Sequence, residues 1–380
     1  MAEARPRCGE VVGWGMSVPE RVLSNDDLAA MVDTSDQWIR SRTGISTRRV
    51  AGAGETTATL ATQAARNALE VADADPRDVD LILVATSTPD HPMPSTACLV
   101  QNALGAIHAG AVDLNAGCSG FVYGLVMGHQ AIASGEHDLV LVIGADTMSR
   151  VVDWGDRSTC VLFGDGAGAV LLRPSHGDGG VLGTILGADG AGAELLRIPA
   201  GGSALPASGE TVAKRQHFLG MDGRQVYRFA TRVLPESIRQ VAAKSGLALD
   251  EIDWVIPHQA NMRIIETAAK RCKMPTERFY LNLERFGNTS AASVPIALCE
   301  ALEQGCIQDG DNVLLVGFGA GLTWAAAALR WAPEAEEHRG AWLHRWLRNL
   351  LYSWARARTR LRHLYNTTFV RLIRWTQRSE

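Results

Sequence analysis

No two of the seven cysteines form a Cys-x-x-Cys pair, and their number is odd. The 380-residue chain therefore suggests neither a zinc knuckle nor a disulfide framework. It has no run of roughly 18 apolar residues, so nothing reads as a transmembrane span. Met1 to Gly15 mixes acids with bases and lacks the apolar centre of a secretory signal. Its glycine clusters do not fit a dinucleotide fingerprint. Neither Gly164-Asp-Gly-Ala-Gly168 nor Gly317-Phe-Gly-Ala-Gly321 supplies a Gly-x-Gly-x-x-Gly leading from a strand into a helix. The first cluster is assigned to packing; the second reads on its own as a tight turn. A reducing, cytoplasmic setting follows.

What the chain has is interior. An apolar content of 46% with 38 glycines is ample for a large packed body with many tight turns. Its length corresponds to roughly two or three domain-sized units, or to two halves sharing one core. The net charge of −4 conceals an asymmetry: residues 338–380 hold ten arginines, no lysine and one glutamate, which leaves −13 on the rest. An acidic body and a basic tail need separate explanations.

Along the chain, Glu10 to Trp14 reads as a short strand and Ser24-Asn-Asp-Asp-Leu28 as a helix N-cap cluster. Asp33 to Gly44 offers a second capped helix, and alanine-rich Thr56 to Val71 a third. Val79 to Thr86 and Asp138 to Gly144 are short apolar runs of the kind buried in parallel sheets. A shift of 173 residues lays Val79-Asp80 and its strand on Ile252-Asp253 to His258, and Leu141 to Gly144 on Leu314 to Gly317. Between the two strands of each copy lies a helix start made of small residues, Gly117-Cys118-Ser119 in one and Asn288 to Ala292 in the other. Two copies of one layer unit, related as pseudo-twofold halves, are expected to face each other. Residues 186–216 form a Gly/Pro-rich insertion between them, expected to act as a lid or active-site loop.

Three residues carry the chemistry. Cys118, in Asp113-Leu-Asn-Ala-Gly-Cys-Ser-Gly-Phe-Val-Tyr123, stands at the start of a helix-compatible segment, Phe121 to Ser134. Free N–H groups and the helix dipole there favour thiolate, and small neighbours leave room for an acyl group. The competing reading is a buried structural cysteine. His258 ends an apolar strand in Val255-Ile-Pro-His-Gln-Ala-Asn261, where a satisfied core histidine is the alternative. Asn288, in Gly287-Asn-Thr-Ser-Ala-Ala-Ser-Val-Pro295, reads equally as a helix N-cap. The repeat brings all three into reach of one another.

Together with Gly317-Phe-Gly-Ala-Gly-Leu-Thr-Trp324, these stretches resemble β-ketoacyl-acyl-carrier-protein synthase III, an initiating condensing enzyme of the thiolase superfamily. The resemblance runs from residue 10 to about 331. It implies an α/β, thiolase-like five-layered αβαβα fold: residues 1–175 form a half holding the nucleophile, and 176–331 a half holding the histidine and asparagine. Residues 332–380 follow as a basic helical extension. It also implies catalytic roles for Cys118, His258 and Asn288, with an oxyanion received by the N–H groups of Cys118 and Ala320. Trp38 and Arg157 would stack on the adenine of CoA, with Thr34, Arg42 and Asn261 near its ribose-phosphate and pantetheine. Arg263 corresponds to a contact with the acidic acyl carrier protein. Met93 stands where the family often has phenylalanine, at the floor of the acyl pocket across a homodimer interface. No metal, nicotinamide or flavin is implied.

The tail lies beyond the resemblance. Trp342, Trp346, Trp354 and Trp375 interleave with its arginines, and Leu343, Leu347, Leu350, Leu361, Tyr365, Phe369 and Leu372 follow helical spacing. Three readings stay open: a helix packed on its own acidic body, a peripheral anchor on anionic membrane, and a segment that docks a partner. Nucleic acid is set aside because no recognition motif accompanies the arginines. Two rival functions stay open as well. One is a starter enzyme or acyltransferase of specialised polyketide or lipid metabolism. The other is a non-catalytic scaffold, against which the intact Cys-His-Asn set argues.

Overall fold

The computed structural model describes residues 7–175 and 177–332; the helix expected within 338–378, with its three readings, lies outside them. Two sheets organise the chain. The first is built from β1 (Gly9–Ser17), β2 (Leu81–Ala85), β3 (Gly110–Leu114), β4 (Val140–Thr147) and β5 (Asp165–Pro174). The second is built from β6 (Gly180–Ala188), β7 (Trp254–Pro257), β8 (Asn312–Gly319) and β9 (Thr323–Arg330). Their orders are β1-β5-β4-β2-β3 and β6-β9-β8-β7.

The repeat seen in the sequence is the register of these sheets. Leu81 pairs with Val140 in parallel in the first, and Trp254 with Val313 in parallel in the second, each partner 173 residues on from its counterpart. Antiparallel pairs then follow on the same side, β4–β5–β1 and β8–β9–β6. The fifth strand of the first sheet is matched in the second by a single parallel bridge, Val255 to Phe279.

Every central strand is buried on both faces, which is why these stretches read as unbroken apolar runs instead of alternating ones. The period of two shows in where alternate residues go. Val313 and Leu315 pack towards the middle of the molecule, and Leu314 and Val316 towards the outside. Val140 and Val142 likewise face inwards and Leu141 and Ile143 outwards.

Six helices matter to the architecture: α1 (Asp36–Thr43), α2 (Thr57–Val71), α3 (Gly120–Ala133), α4 (Gly223–Lys244), α5 (Met262–Cys272) and α6 (Ser293–Glu303). Helices α3 and α6 lie between the sheets, α2 covers the first from outside, and α4 with α5 covers the second. This is the expected five-layered αβαβα order. Caps set several of the ends. Ser35 and Thr56 accept from backbone N–H groups of the first turns of α1 and α2, and Gly44, at φ 83°, closes α1 in the left-handed region. The Gly164–Gly168 cluster serves packing as expected: a Cβ at Gly168 would stand 2.7 Å from that of Pro295 in α6. The insertion over 186–216 begins with the end of β6 and folds into a short 3-10 turn, Gly190–Leu195, a two-residue hairpin strand, Leu196–Arg197, and a five-residue helix, Gly209–Ala213. Reciprocal bonds between Asp189 and Leu322 tie it to the turn after β8.

Candidate active site

Strand β3 ends at Leu114, and two residues later the chain turns through Gly117–Ser119 into α3. Cys118 stands on that turn and is 7% exposed. Gly117, at φ 53°, has no room for a side chain, because a Cβ there would lie 2.7 Å from the nitrogen of Ala320. On the facing segment a Cβ at Gly319 would lie 2.4 Å from the nitrogen of Cys118. Two glycines thus let the backbone of Gly319–Ala320, from the second half, close on Gly117–Cys118, from the first. Gly319→Ala is expected to push these backbones apart. A misplacement approaching 1 Å costs about 100-fold in rate, so acylation of the cysteine, followed by mass spectrometry, should slow by about that factor.

His258 follows the last residue of β7, and its backbone N–H donates to Val316 O at 2.7 Å. Its ring is 1% exposed and meets Phe318 edge-on, 5.1 Å between centroids. Nδ1 is buried with no hydrogen-bond partner among the described residues. Asn288, 6% exposed, is held through its backbone: its N–H donates to Leu162 O at 2.9 Å, and its carbonyl accepts from Gly164 N at 3.0 Å. Its Oδ1 accepts from Ser290 N at 2.9 Å, an Asx turn and not the expected helix cap, since Thr289 holds the cap position of the next helical turn; the amide NH2 is left for other work. Ser290 links the pair, since its Oγ accepts from Cys118 Sγ at 3.5 Å. The three residues are linked through their neighbours: Ser290 connects Cys118 to Asn288, and the adjacent pair Phe318-Gly319 connects it to His258.

Burial governs the electrostatics. It pushes the Cys118 thiol up to about 12; the contact with Ser290 pulls the other way, and the nearby Asp146 carboxylate adds to the rise. The helix N-terminus alone had suggested the opposite direction. Desolvation penalises the thiolate more than the local donors favour it. Burial likewise pulls the His258 imidazole down to about 3. The resting pair is a neutral thiol and a neutral imidazole.

A second cluster lies where α1 meets α5. The guanidinium carbons of Arg42 and Arg157 each sit 5.3 Å from the Trp38 ring centroid. Arg157 is steadied by Asp33, donating to its carbonyl at 2.6 Å. Asn261 caps α5 and also donates to Arg42 O at 3.0 Å, while Arg263 donates to Ser41 O at 2.6 Å. Thr34 Oγ1 is buried without a partner among the described residues. Trp38, Arg42, Arg157 and Asn261 are brought together, with Arg263 beside them on α5; Thr34 adjoins them only through its neighbour Asp33, which holds Arg157. Met93 is not among them: it stands 87% exposed on the loop after β2, outside both clusters of its own chain.

Sequence reasoning missed the polar residues that hold this arrangement. Gln259 donates to Pro257 O and Tyr280 O and accepts from Asn282 N and Leu283 N, which binds the histidine turn to the segment leading to Asn288. Glu300 accepts from both terminal nitrogens of Arg285, from Tyr280 and from Asn282. Asp146, fully buried at the end of β4, bonds to both halves. One signal was available for the last: an acid closing an unbroken apolar strand.

The layered fold, with a buried cysteine on a helix-start turn against which the second half closes, is that of a thiolase-like condensing enzyme, an acyltransferase. A family model described as 3-oxoacyl-[acyl-carrier-protein (ACP)] synthase III matches residues 112–196, and its C-terminal counterpart matches 242–331. The β-ketoacyl-[acyl-carrier-protein] synthase III of Symbiobacterium thermophilum is 54% identical over 84% of this chain and 97% of its own. That of Caldanaerobacter subterraneus is 52% identical over 85% and 97%. The crystal structure of the Aquifex aeolicus enzyme superposes with a TM-score of 0.79 at 45% identity, over 85% of this chain and all of the other. The priming β-ketosynthase of the R1128 polyketide pathway has a TM-score of 0.79 at 35% identity, over 87% and 98%. The chain belongs to the β-ketoacyl-acyl-carrier-protein synthase III family.

Proposed function

We propose that this protein condenses a short acyl-CoA primer with malonyl-acyl carrier protein to begin fatty-acid synthesis, through an acyl group carried on Cys118. As Sγ bonds to the thioester carbon, its proton passes to His258 Nε2. The oxyanion is received by the N–H groups of Cys118 and Ala320, and as the bond to CoA breaks, its sulfur takes that proton from His258 Nε2, leaving the imidazole neutral. Malonyl carrier then loses CO2. The resulting enolate oxygen accepts hydrogen bonds from His258 and from the Asn288 amide, and its carbon attacks the acyl carbon, expelling Cys118 as thiolate, which takes a proton from solvent to restore the thiol. Neutral imidazole suits both steps: its Nδ1–H tautomer offers Nε2 as the base in the first, and its Nε2–H tautomer, reached by proton exchange with solvent between the steps, donates in the second. Asparagine donates without titrating. As written, the reaction needs no metal or organic cofactor.

The observation that supports this reading is the close approach of Gly319–Ala320 to Gly117–Cys118, which brings the backbone nitrogens of Ala320 and Cys118, one from each half, to the turn that carries the sulfur. Intact-protein mass after mixing with a panel of acyl-CoAs tests it. A single acyl adduct is expected, strongest for the true primer; no adduct with any member of the panel would overturn the reading. The R1128 relationship keeps a specialised starter role in view, which the preferred chain length would distinguish.

CoA enters past Trp38, whose face is framed by Arg42 and Arg157, with Thr34 and Asn261 beside it. Stacking a base on an aromatic ring contributes about 1–3 kcal/mol. Trp38→Ala should therefore raise KM for acyl-CoA by about 10- to 100-fold while kcat for the condensation changes little, as steady-state kinetics would show. Arg263, on the same rim, is assigned to the acidic carrier protein. The edge strand β3, with Val112, Ile107 and the Met93 loop exposed beside it, is the surface on which a second copy would pair, placing Met93 at the partner's acyl pocket. The setting assigned is cytoplasmic.

A further inference from the structure

Asp146 is wholly buried, and no cation among the described residues pairs with it. Four donors converge on its Oδ1: Thr86 Oγ1 at 3.0 Å, Ser87 N at 2.8 Å, Thr88 N at 3.0 Å and Thr88 Oγ1 at 2.8 Å. All belong to the loop that leaves β2 in the first half. Its other oxygen, Oδ2, accepts from one donor of the second half, the N–H of Ala291, at 3.0 Å. That amide follows Ser290, a non-glycine residue at φ 52°, in the left-handed region. Holding a serine there costs about 1 kcal/mol or more unless neighbours over-determine it. Ser290 is also the residue whose N–H holds the Asn288 side chain and whose Oγ meets the Cys118 thiol.

We infer that Asp146 is a positioning residue for the condensation. Its carboxylate, anchored by the first half, clamps the strained Ser290–Ala291 turn of the second, and so sets the Asn288 amide where the enolate forms. A carboxylate is required because both oxygens must accept. An asparagine would keep its one acceptor for the four donors and turn an NH2 against the Ala291 N–H, opposing donor to donor. The bond at the turn would be lost, and the side chain's volume kept. This inference rests on the catalytic reading above, since it assigns Asn288 to the enolate step.

The test is a double-mutant cycle between Asp146→Asn and Ser290→Gly, read as CO2 release from malonyl carrier protein by each of the four proteins. Glycine rests in the left-handed region without being held. Asp146→Asn is expected to slow decarboxylation about 30-fold when Ser290 is present, but no more than about 3-fold when Ser290→Gly accompanies it, the smaller factor corresponding to relief of the strain. A loss of equal size in both backgrounds would overturn the inference, since an anchor of the fold alone is indifferent to the φ of residue 290. Cooperative thermal melting checks that each variant folds. If Asp146→Asn does not fold, the cycle is run with Thr88→Val, which removes one donor from the same carboxylate, and the same two outcomes decide. The acyl adduct on the wild-type protein is measured alongside. With the adduct present, a failed cycle refutes only the role of Asp146; without it, the catalytic reading itself falls.

Discussion

Cys118→Ala should fold, bind acyl-CoA and never gain acyl mass. Condensation should fall below detection, a loss of at least about 10,000-fold, as for nucleophiles on which a covalent pathway depends. The substitution removes one sulfur from a nearly closed site, and alanine fits the small-residue turn Ala116 to Gly120, so stability should change by no more than about 1–2 kcal/mol. None of the other six cysteines stands on the turn that Gly319–Ala320 closes, so none is expected to substitute for Cys118. One activity should survive. The proposed mechanism assigns decarboxylation of malonyl carrier to His258 and Asn288, so it should continue in the variant uncoupled from any primer. Persistent acylation in Cys118→Ala, located by peptide mapping to another residue, would overturn the assignment of the nucleophile.

Much of this arrangement was legible in the chain, for reasons that can be named. A sheet buried on both faces writes itself as continuous apolar runs, and two copies of it wrote the 173-residue repeat that reappears as the pairing of Leu81 with Val140 and of Trp254 with Val313. The helix ends at Ser24, Ser35 and Thr56 were legible because capping is local. Cys118, His258 and Asn288 stood out as polar or reactive residues at the ends of such elements. Less accessible was everything that depends on long-range contact. The rise of the Cys118 thiol comes from burial that only the closed fold creates, so the dipole argument from the turn alone pointed the wrong way. Asp146, Gln259 and Glu300 act by accepting several bonds at once from distant segments, and nothing in the residues beside them records those partners. Ser290 was visible inside its motif, but its left-handed backbone was not, because serine does not advertise that conformation as glycine does.

The neutral resting pair leads to the second large effect, which lies in the pH profile of acylation. With the thiol at about 12, preformed thiolate at pH 7 is on the order of one molecule in 100,000, and it would grow tenfold per pH unit. With His258 at about 3, the imidazole stays neutral throughout the working range, and it loses its capacity as a base only as the pH falls through that value. If the proton passes from Sγ to Nε2 as the bond to the acyl carbon forms, neither partner changes charge between about pH 5 and 9. Single-turnover acylation by the wild-type protein should then be nearly flat across that window. His258→Ala removes the acceptor and leaves attack to preformed thiolate. Its rate at pH 7 should be lower by about 100- to 10,000-fold, the range typical of general-base catalysis, and should rise with a slope near one as pH increases. The two profiles therefore converge at high pH, where thiolate becomes plentiful without help. A wild-type rate that itself climbs tenfold per unit from pH 6 to 9 would show that the enzyme attacks through preformed thiolate and that His258 serves the decarboxylation step alone.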